Sequence, residues 1–337
     1  MSLLLTEGFE LNVGAVQRGR KYVAASGGGI GSQVDPRVFG TGGHSNQLLQ
    51  TKQFAQGATL YHGWGIKANA AYSGFITPGW RTYFQLAGVN QCSLSMSFST
   101  DGRQYSLLFK RGDESGTLLA TFGPFWADKW YYFEMRVTAH TSTGSYEFVV
   151  NDVSYATGSG LNTAGAGTND LDQMKWQGGG HTSFIDDMYV DNAAFRGPLV
   201  VAFNLPSSNG ATVEYVPSSG TNHANLLNDQ DDTTLVTTNA LNQIELLSMS
   251  ALNAIFGTGV IVAISWEATG AMTTPGSRQL TPRFRTSGGS SANGPTALTF
   301  DSSSITNKYV FLTTNPQTTV AWVPADLGGQ FGFQTTS

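Results

Sequence analysis

Two glutamates, Glu134 and Glu147, fall in alternating stretches that would place a carboxylate on a strand face. Retaining glycoside hydrolysis needs two carboxyl groups about 5 Å apart. Residues two apart share a strand face, but Glu134 is followed by Met135, Arg136, Val137 and Thr138, so no second carboxylate follows it there. Each glutamate stands alone, which argues against that hydrolase chemistry. Four of the five histidines, His44, His62, His181 and His223, lie among Gly, Asn and Ser, the texture of solvated loops. No pair of them has metal-ligand spacing, and no serine occupies a Gly-x-Ser-x-Gly elbow. The Gly27–Gly31 run lacks the Gly-Lys-Ser/Thr ending of a phosphate loop and reads as a hairpin tip. Asp229, Asp231 and Asp232 lack the ligand spacing of an EF-hand and read as a turn. No residue is assigned a catalytic role. Trp64, Trp80 and Trp126 lie beside Gly, Pro and polar residues, where exposed rings would stack on sugars; core packing is the competing fate for each.

Composition limits what elements can position these groups. The chain has 337 residues, 41 of them Gly, and only 12% are charged. Exposed helix faces are normally filled with Glu, Lys, Arg and Ala, so the expected class is all-β. With 20 Phe, 12 Tyr and 7 Trp the chain can fill two packed cores, and its length suits two domains. The net charge of -5 is spread over both halves, with no basic patch to neutralise phosphates, so nucleic acid is not an expected partner. No run approaches the ~18 apolar residues of a membrane helix. The N-terminus lacks the basic and apolar regions of a secretion signal. The single cysteine, Cys92, excludes an intramolecular disulfide and reads as a small buried hydrophobe.

Short strands follow from period-two alternation. Ser93-Leu94-Ser95-Met96-Ser97-Phe98 alternates small polar with apolar, and Asp101-Gly102 marks a hairpin before Tyr105 to Phe109. Trp130 to Val137, Ser145 to Val150 and Phe184 to Val190 continue the series, with Asn151-Asp152 opening a turn. A linker at residues 191–198 separates a second set of strands, at 199–204, 212–216, 242–247, 259–268, 278–286, 308–313 and 329–333. Residues 246–256 carry an apolar spacing open to helix, though strand followed by turn is the preferred reading. Regularly spaced short strands indicate a sandwich or barrel.

The segment Trp130 to Val150, followed by Phe184-Ile185-Asp186-Asp187-Met188-Tyr189-Val190, resembles concanavalin A-like jelly-roll domains of the laminin-G and pentraxin-like group. In that group the last strand returns to pair with an N-terminal strand, here near Glu7-Gly8-Phe9-Glu10. Asp231-Asp232-Thr233-Thr234-Leu235-Val236 and Asn315 to Phe333, around Trp322-Val323-Pro324, resemble phrases of tailed-bacteriophage virion proteins. The resemblance implies a concanavalin A-like jelly-roll β-sandwich over residues 1–193 and a second, smaller β-sandwich over 194–337. It also implies a structural Ca²⁺ at Glu7, Gly8 and Asp186 or Asp187, with loop N–H groups the competing partners of those carboxylates. The function expected is non-enzymatic: a virion component assembled in a host cytoplasm, a homo-oligomer in a symmetric assembly with other virion proteins. The alternative is a carbohydrate-binding module or adhesin recognising host surface glycans.

Overall fold

The computed structural model describes residues 3–7, 22–26, 48–69, 79–178, 183–201, 204–228, 234–249, 260–273 and 276–336, with side chains omitted at 6–7 and 22–26. The chain divides into two compact units, residues 1–203 and 204–337. The first is built from β1 (Leu3–Glu7), β2 (Tyr22–Ser26), β3 (Leu48–Thr51), β4 (Thr59–Ala68), β5 (Arg81–Leu86), β6 (Val89–Phe98) and β7 (Gln104–Arg111). It continues with β8 (Leu118–Trp126), β9 (Trp130–Thr138), β10 (Gly144–Val150), β11 (Val153–Leu161), β12 (Gln173–Gln177) and β13 (Ser183–Asp191). These form a six-stranded sheet, β1-β13-β4-β9-β10-β11, and a seven-stranded sheet, β2-β3-β12-β5-β6-β7-β8. Every pairing is antiparallel, and the first strand closes against the last, Glu7 opposite Met188. This is a concanavalin A-like jelly-roll sandwich.

The turns follow from local chemistry. Asn151 and Asp152 both take positive φ, 48° and 66°, so Val150 pairs directly with Val153 across a two-residue hairpin. Gly102, at φ 68°, turns the chain between β6 and β7. Alternation then buries one face of β7: Tyr105, Leu107 and Phe109 point inward, all at 1% exposure or less. Phe122 of one sheet stacks on Phe148 of the other at 4.3 Å, and Phe133 and Phe125 extend that aromatic core.

His62 is a correction to the sequence expectation. It is a strand residue of β4, fully buried and stacked on Trp64 at 4.5 Å. Trp176 Nε1–H donates to its Nε2 at 3.0 Å, and its Nδ1–H donates to the Tyr189 carbonyl at 2.9 Å. The neutral ring therefore satisfies both nitrogens and ties the two sheets together. Burial lowers its pKa to about 3.

The first unit ends ten residues beyond the expected boundary because residues 192–201 fold back onto it. Asp191 ion-pairs with Arg196, its Oδ2 2.8 Å from Nε, and Asp187 Oδ1 accepts the Val201 N–H at 2.8 Å. Glu134, which stands alone in sequence, is an anchor here. It accepts the Tyr189 hydroxyl and the N–H groups of Arg196 and Gly197, at 3.2 and 2.9 Å. Its burial pushes its pKa up, partly offset by these donors.

The second unit contains β14 (Pro206–Val213), β15 (Val216–Pro217), α1 (His223–Asn228), β16 (Val236–Thr237), β17 (Ile244–Met249) and β18 (Ile264–Gly270). It ends with β19 (Arg278–Arg285), β20 (Ser291–Asn293), β21 (Leu298–Phe300), β22 (Thr306–Leu312) and β23 (Gln330–Thr335). The sheet β14-β17-β23-β19-β20 supplies Phe284 and Phe331 to a core, and the β18-β22 ribbon supplies Trp266 and Leu312. Residues 244–249 are strand, as preferred, while 250–256 lie outside the described residues. His223 is buried as well, 2.7 Å from Glu245, not in a solvated loop.

Candidate functional site: the outer face of the seven-stranded sheet

Residues directly opposite each other in neighbouring strands project to the same face. One row across the seven-stranded sheet reads Leu49, Trp176, Thr82, Leu94, Phe109, and it is the inner, core-facing row. The adjacent row reads Gln50, Lys175, Tyr83, Ser93, Lys110, and the next Gln177, Arg81, Ser95, Leu108, Thr121. These outer rows gather two ammonium groups, a guanidinium, a phenol, hydroxyls and amides on one surface.

The groups are ordered against each other. Arg81 Nε lies 2.7 Å from Glu114 Oε1, and Tyr83 donates its hydroxyl to that same oxygen. Lys175 Nζ sits 4.9 Å from the centre of the Tyr83 ring, within cation–π range. Gln50 donates to Gln85 at 3.0 Å, and Gln85 donates onward to Asn90 at 2.8 Å. Tyr83 is 2% exposed although it faces away from the core. Burial, helped by the Glu114 carboxylate, raises its pKa, so the phenol is a neutral O–H donor. Ser93 is fully buried on the same face, and its hydroxyl has no hydrogen-bond partner among the described residues. Mixed donors and acceptors around one aromatic ring suit a hydroxyl-rich chain, whose groups both donate and accept.

None of these residues was singled out from sequence. The signal was present in Arg81-Thr82-Tyr83-Phe84-Gln85 and Gln173-Met174-Lys175-Trp176-Gln177, where polar and largely buried positions alternate. Two such stretches, each with a cation on the polar side, mark a sheet face that does more than meet water.

The tryptophans expected to meet sugars are placed differently. Trp64 is fully buried and Trp80 is 5% exposed, so neither offers a ring face; their packing supplies the core. Trp126 is 51% exposed at the end of β8, and its backbone N–H donates to Tyr131 Oη at 3.2 Å. The Ca²⁺ set lies only partly among the described residues. The Glu7 side chain and Gly8 lie outside them, and Asp186 and Asp187 sit buried at a bulge in β13. Asp186 Oδ1 accepts the Asp187 N–H at 2.9 Å and Asp187 Oδ1 that of Val201, so both carboxylates hold backbone. Among the described residues no three acidic, His or Cys side chains gather as a metal would need. His44, His181, the Gly27–Gly31 run, Asp231 and Asp232 lie outside the described residues.

A jelly-roll sandwich with a polar, ordered outer sheet face is the class this first unit defines. No family model matches the chain, and no curated protein matches it. Solved structures do. They include an endo-β-1,4-glucuronan lyase from the fungus Trichoderma reesei, 10% identical with a TM-score of 0.41, covering 59% of this chain and 100% of that one. An alginate lyase from a Chlorella virus is 8% identical, with a TM-score of 0.38 and coverage of 57% and 100%. The carbohydrate recognition domain of Emp46p is 9% identical, with a TM-score of 0.38 and coverage of 56% and 97%. That two of these are polysaccharide lyases overturns the expectation that the chain is not an enzyme. The missing carboxylate pair spoke against one class of hydrolase only.

Proposed function

We propose that the first unit binds a carbohydrate chain along the outer face of its seven-stranded sheet. The observation that carries this reading is the row Gln50, Lys175, Tyr83, Ser93, Lys110, five polar side chains in register across five strands. Strands lie about 4.8 Å apart, so the row spans roughly 19 Å, the reach of several linked sugar rings. Gln50, Lys175 and Lys110 are partly exposed, so a solute can reach them, while the enclosed Tyr83 and Ser93 lie between them in the row. The virion-component reading has two sequence phrases behind it. Half of one lies outside the described residues, and the other has a packing role, because Trp322 is buried in the second core and its indole N–H donates to the Leu312 carbonyl at 2.8 Å.

The test is a glycan array probed with the full chain, with reducing ends counted in the same samples so that cleavage is read alongside binding. Binding should drop at least about tenfold in Lys175→Met, which removes one charge-assisted contact. An array with no bound glycan, or one on which Lys175→Met binds as the parent does, would sink the reading.

A further inference from the structure

A carbohydrate surface can take neutral or charged chains, and the loop between β7 and β8 bears on which. Its ends are closed by Arg111 N–H donating to the Thr117 carbonyl at 2.9 Å. Its tip is held by local bonds, Ser115 N–H to Asp113 Oδ1 at 2.9 Å and Gly116 N–H to the Asp113 carbonyl at 3.1 Å. Gly112, at φ 78°, turns the chain into that tip. Asp113 thus spends its carboxylate inside the loop, whereas Glu114 sends its carboxylate out to the sheet.

The surroundings of Glu114 are those of a bound anion. Arg81 Nε stands 2.7 Å from Oε1, and the Tyr83 hydroxyl donates to the same oxygen. Lys110 Nζ donates to the Glu114 backbone carbonyl at 2.5 Å, and Lys175 lies beyond the Tyr83 ring. One guanidinium and one phenol therefore hold the carboxylate, and two ammonium groups, Lys110 on the Glu114 carbonyl and Lys175 over the Tyr83 ring, lie on the same sheet face. The Glu114 side chain is 37% exposed, so solvent, and a solute, reaches it.

We propose that Glu114 is an internal stand-in for the carboxylate of an acidic sugar, and that the site takes a uronate-containing chain whose carboxylate displaces Glu114 from Arg81 and Tyr83. The proposal rests on the carbohydrate reading above and names its substrate class. The exchange breaks no covalent bond: one carboxylate leaves the guanidinium and phenol as another arrives. While Glu114 holds the site, the apparent affinity for the acidic chain is reduced by the fraction of molecules in which the site is free. Glu114 is then a specificity residue in two senses: it keeps the cations from recruiting simple anions, and it sets the threshold an acidic chain must pass.

Isothermal titration calorimetry with tetramers of galacturonate and of glucuronate, against a neutral glucose tetramer, tests this. The parent should bind at least one acidic tetramer about tenfold more tightly than the neutral one, as a charge-assisted contact warrants. Glu114→Gln should tighten that acidic binding by about fivefold through relief of the internal competitor. Arg81→Met should erase the acidic preference. Glu114→Ala serves as a second variant with the same expected direction, and melting curves check that both remain folded. If Glu114→Gln and Glu114→Ala weaken acidic binding or leave it unchanged, Glu114 is a fixed strut and the proposal is overturned. If the neutral tetramer binds as well as the acidic ones, the substrate class is wrong while the carbohydrate reading survives. If no tetramer binds and the array is blank, both fall together.

Discussion

The seven-stranded sheet carries two faces on one backbone, and the same registers that align its core align its polar surface. Trp176 and Lys175 are neighbours on β12; one meets His62 and the core, the other the Tyr83 ring. Burial alone does not separate the faces, since Tyr83 and Ser93 on the outer side are as enclosed as Phe84 and Leu94 on the inner. What separates them is the kind of partner. Inner residues are matched by shape to apolar neighbours, while outer residues are matched by charge and hydrogen bonding to each other and to Glu114.

That contrast is broken most forcefully by substituting adjacent residues of β12. Trp176→Ala empties a large core site and leaves His62 Nε2 without its donor, and should cost about 3–5 kcal/mol in urea-denaturation experiments. Lys175→Ala, one residue away, should stay within about 0.5 kcal/mol of the parent. Comparable losses at both positions would mean that the outer face is structural after all.

Next in size is an acid effect seated in the inner layer. His62 titrates at about 3 in the folded protein and at its ordinary value of 6.5 when unfolded. Below pH 6.5 the unfolded chain gains a proton that the folded one refuses, so stability falls as pH falls, by about 1.4 kcal/mol per pH unit once well below 6.5. Unfolding free energies at pH 7 and pH 5 should show this slope in the parent and lose it in His62→Gln. Glu134 works in the opposite direction. Its pKa is raised from 4.5 in the fold, so the folded state holds the extra proton and stability declines as pH rises through that window. Glu134→Gln should remove that decline at a cost of about 1–2 kcal/mol for the disturbed donors of Tyr189, Arg196 and Gly197. A pH 7 to pH 4 stability profile whose slope neither His62→Gln nor Glu134→Gln changes from the parent's would refute both assignments.

These groups also mark where the sequence could be read and where it could not. Alternation and turn chemistry made the strands at Ser93, Trp130, Ser145 and Phe184 legible, because period two and positive-φ residues such as Asn151 and Asp152 act locally. His62 was misread because its glycine neighbours resemble a loop. Gly63 is a strand residue instead, and a Cβ there would meet the Tyr189 ring at 2.1 Å, so it is glycine to let the ring close on β4. Glu134 looked solitary because its partners lie 55 or more residues away. The outer face was hidden for the same reason: Gln50, Tyr83, Lys110 and Lys175 become one row only when four pairings set the register. A one-residue slip in any of them would send that strand's polar groups into the core.

The smallest expected effect is the sharpest test of the two faces, because it matches one buried hydroxyl on each. Thr82 faces inward and Ser93 outward; both are fully buried, and neither hydroxyl has a hydrogen-bond partner among the described residues. An unpartnered hydroxyl held away from water costs free energy, so its removal should not destabilise. Thr82→Val keeps the shape and should raise stability by up to about 1 kcal/mol; Ser93→Ala leaves only a small void and should be neutral or gain about 0.5 kcal/mol. Ligand binding is then read on both. Neither change should move glycan affinity by more than about twofold, because Thr82 lies beneath the sheet and the Ser93 hydroxyl is closed to solvent and so to a ligand. A clear loss of affinity in Ser93→Ala alone would show that the outer face opens over β6 when a glycan binds, and would add the Ser93 hydroxyl to the row's ligand contacts.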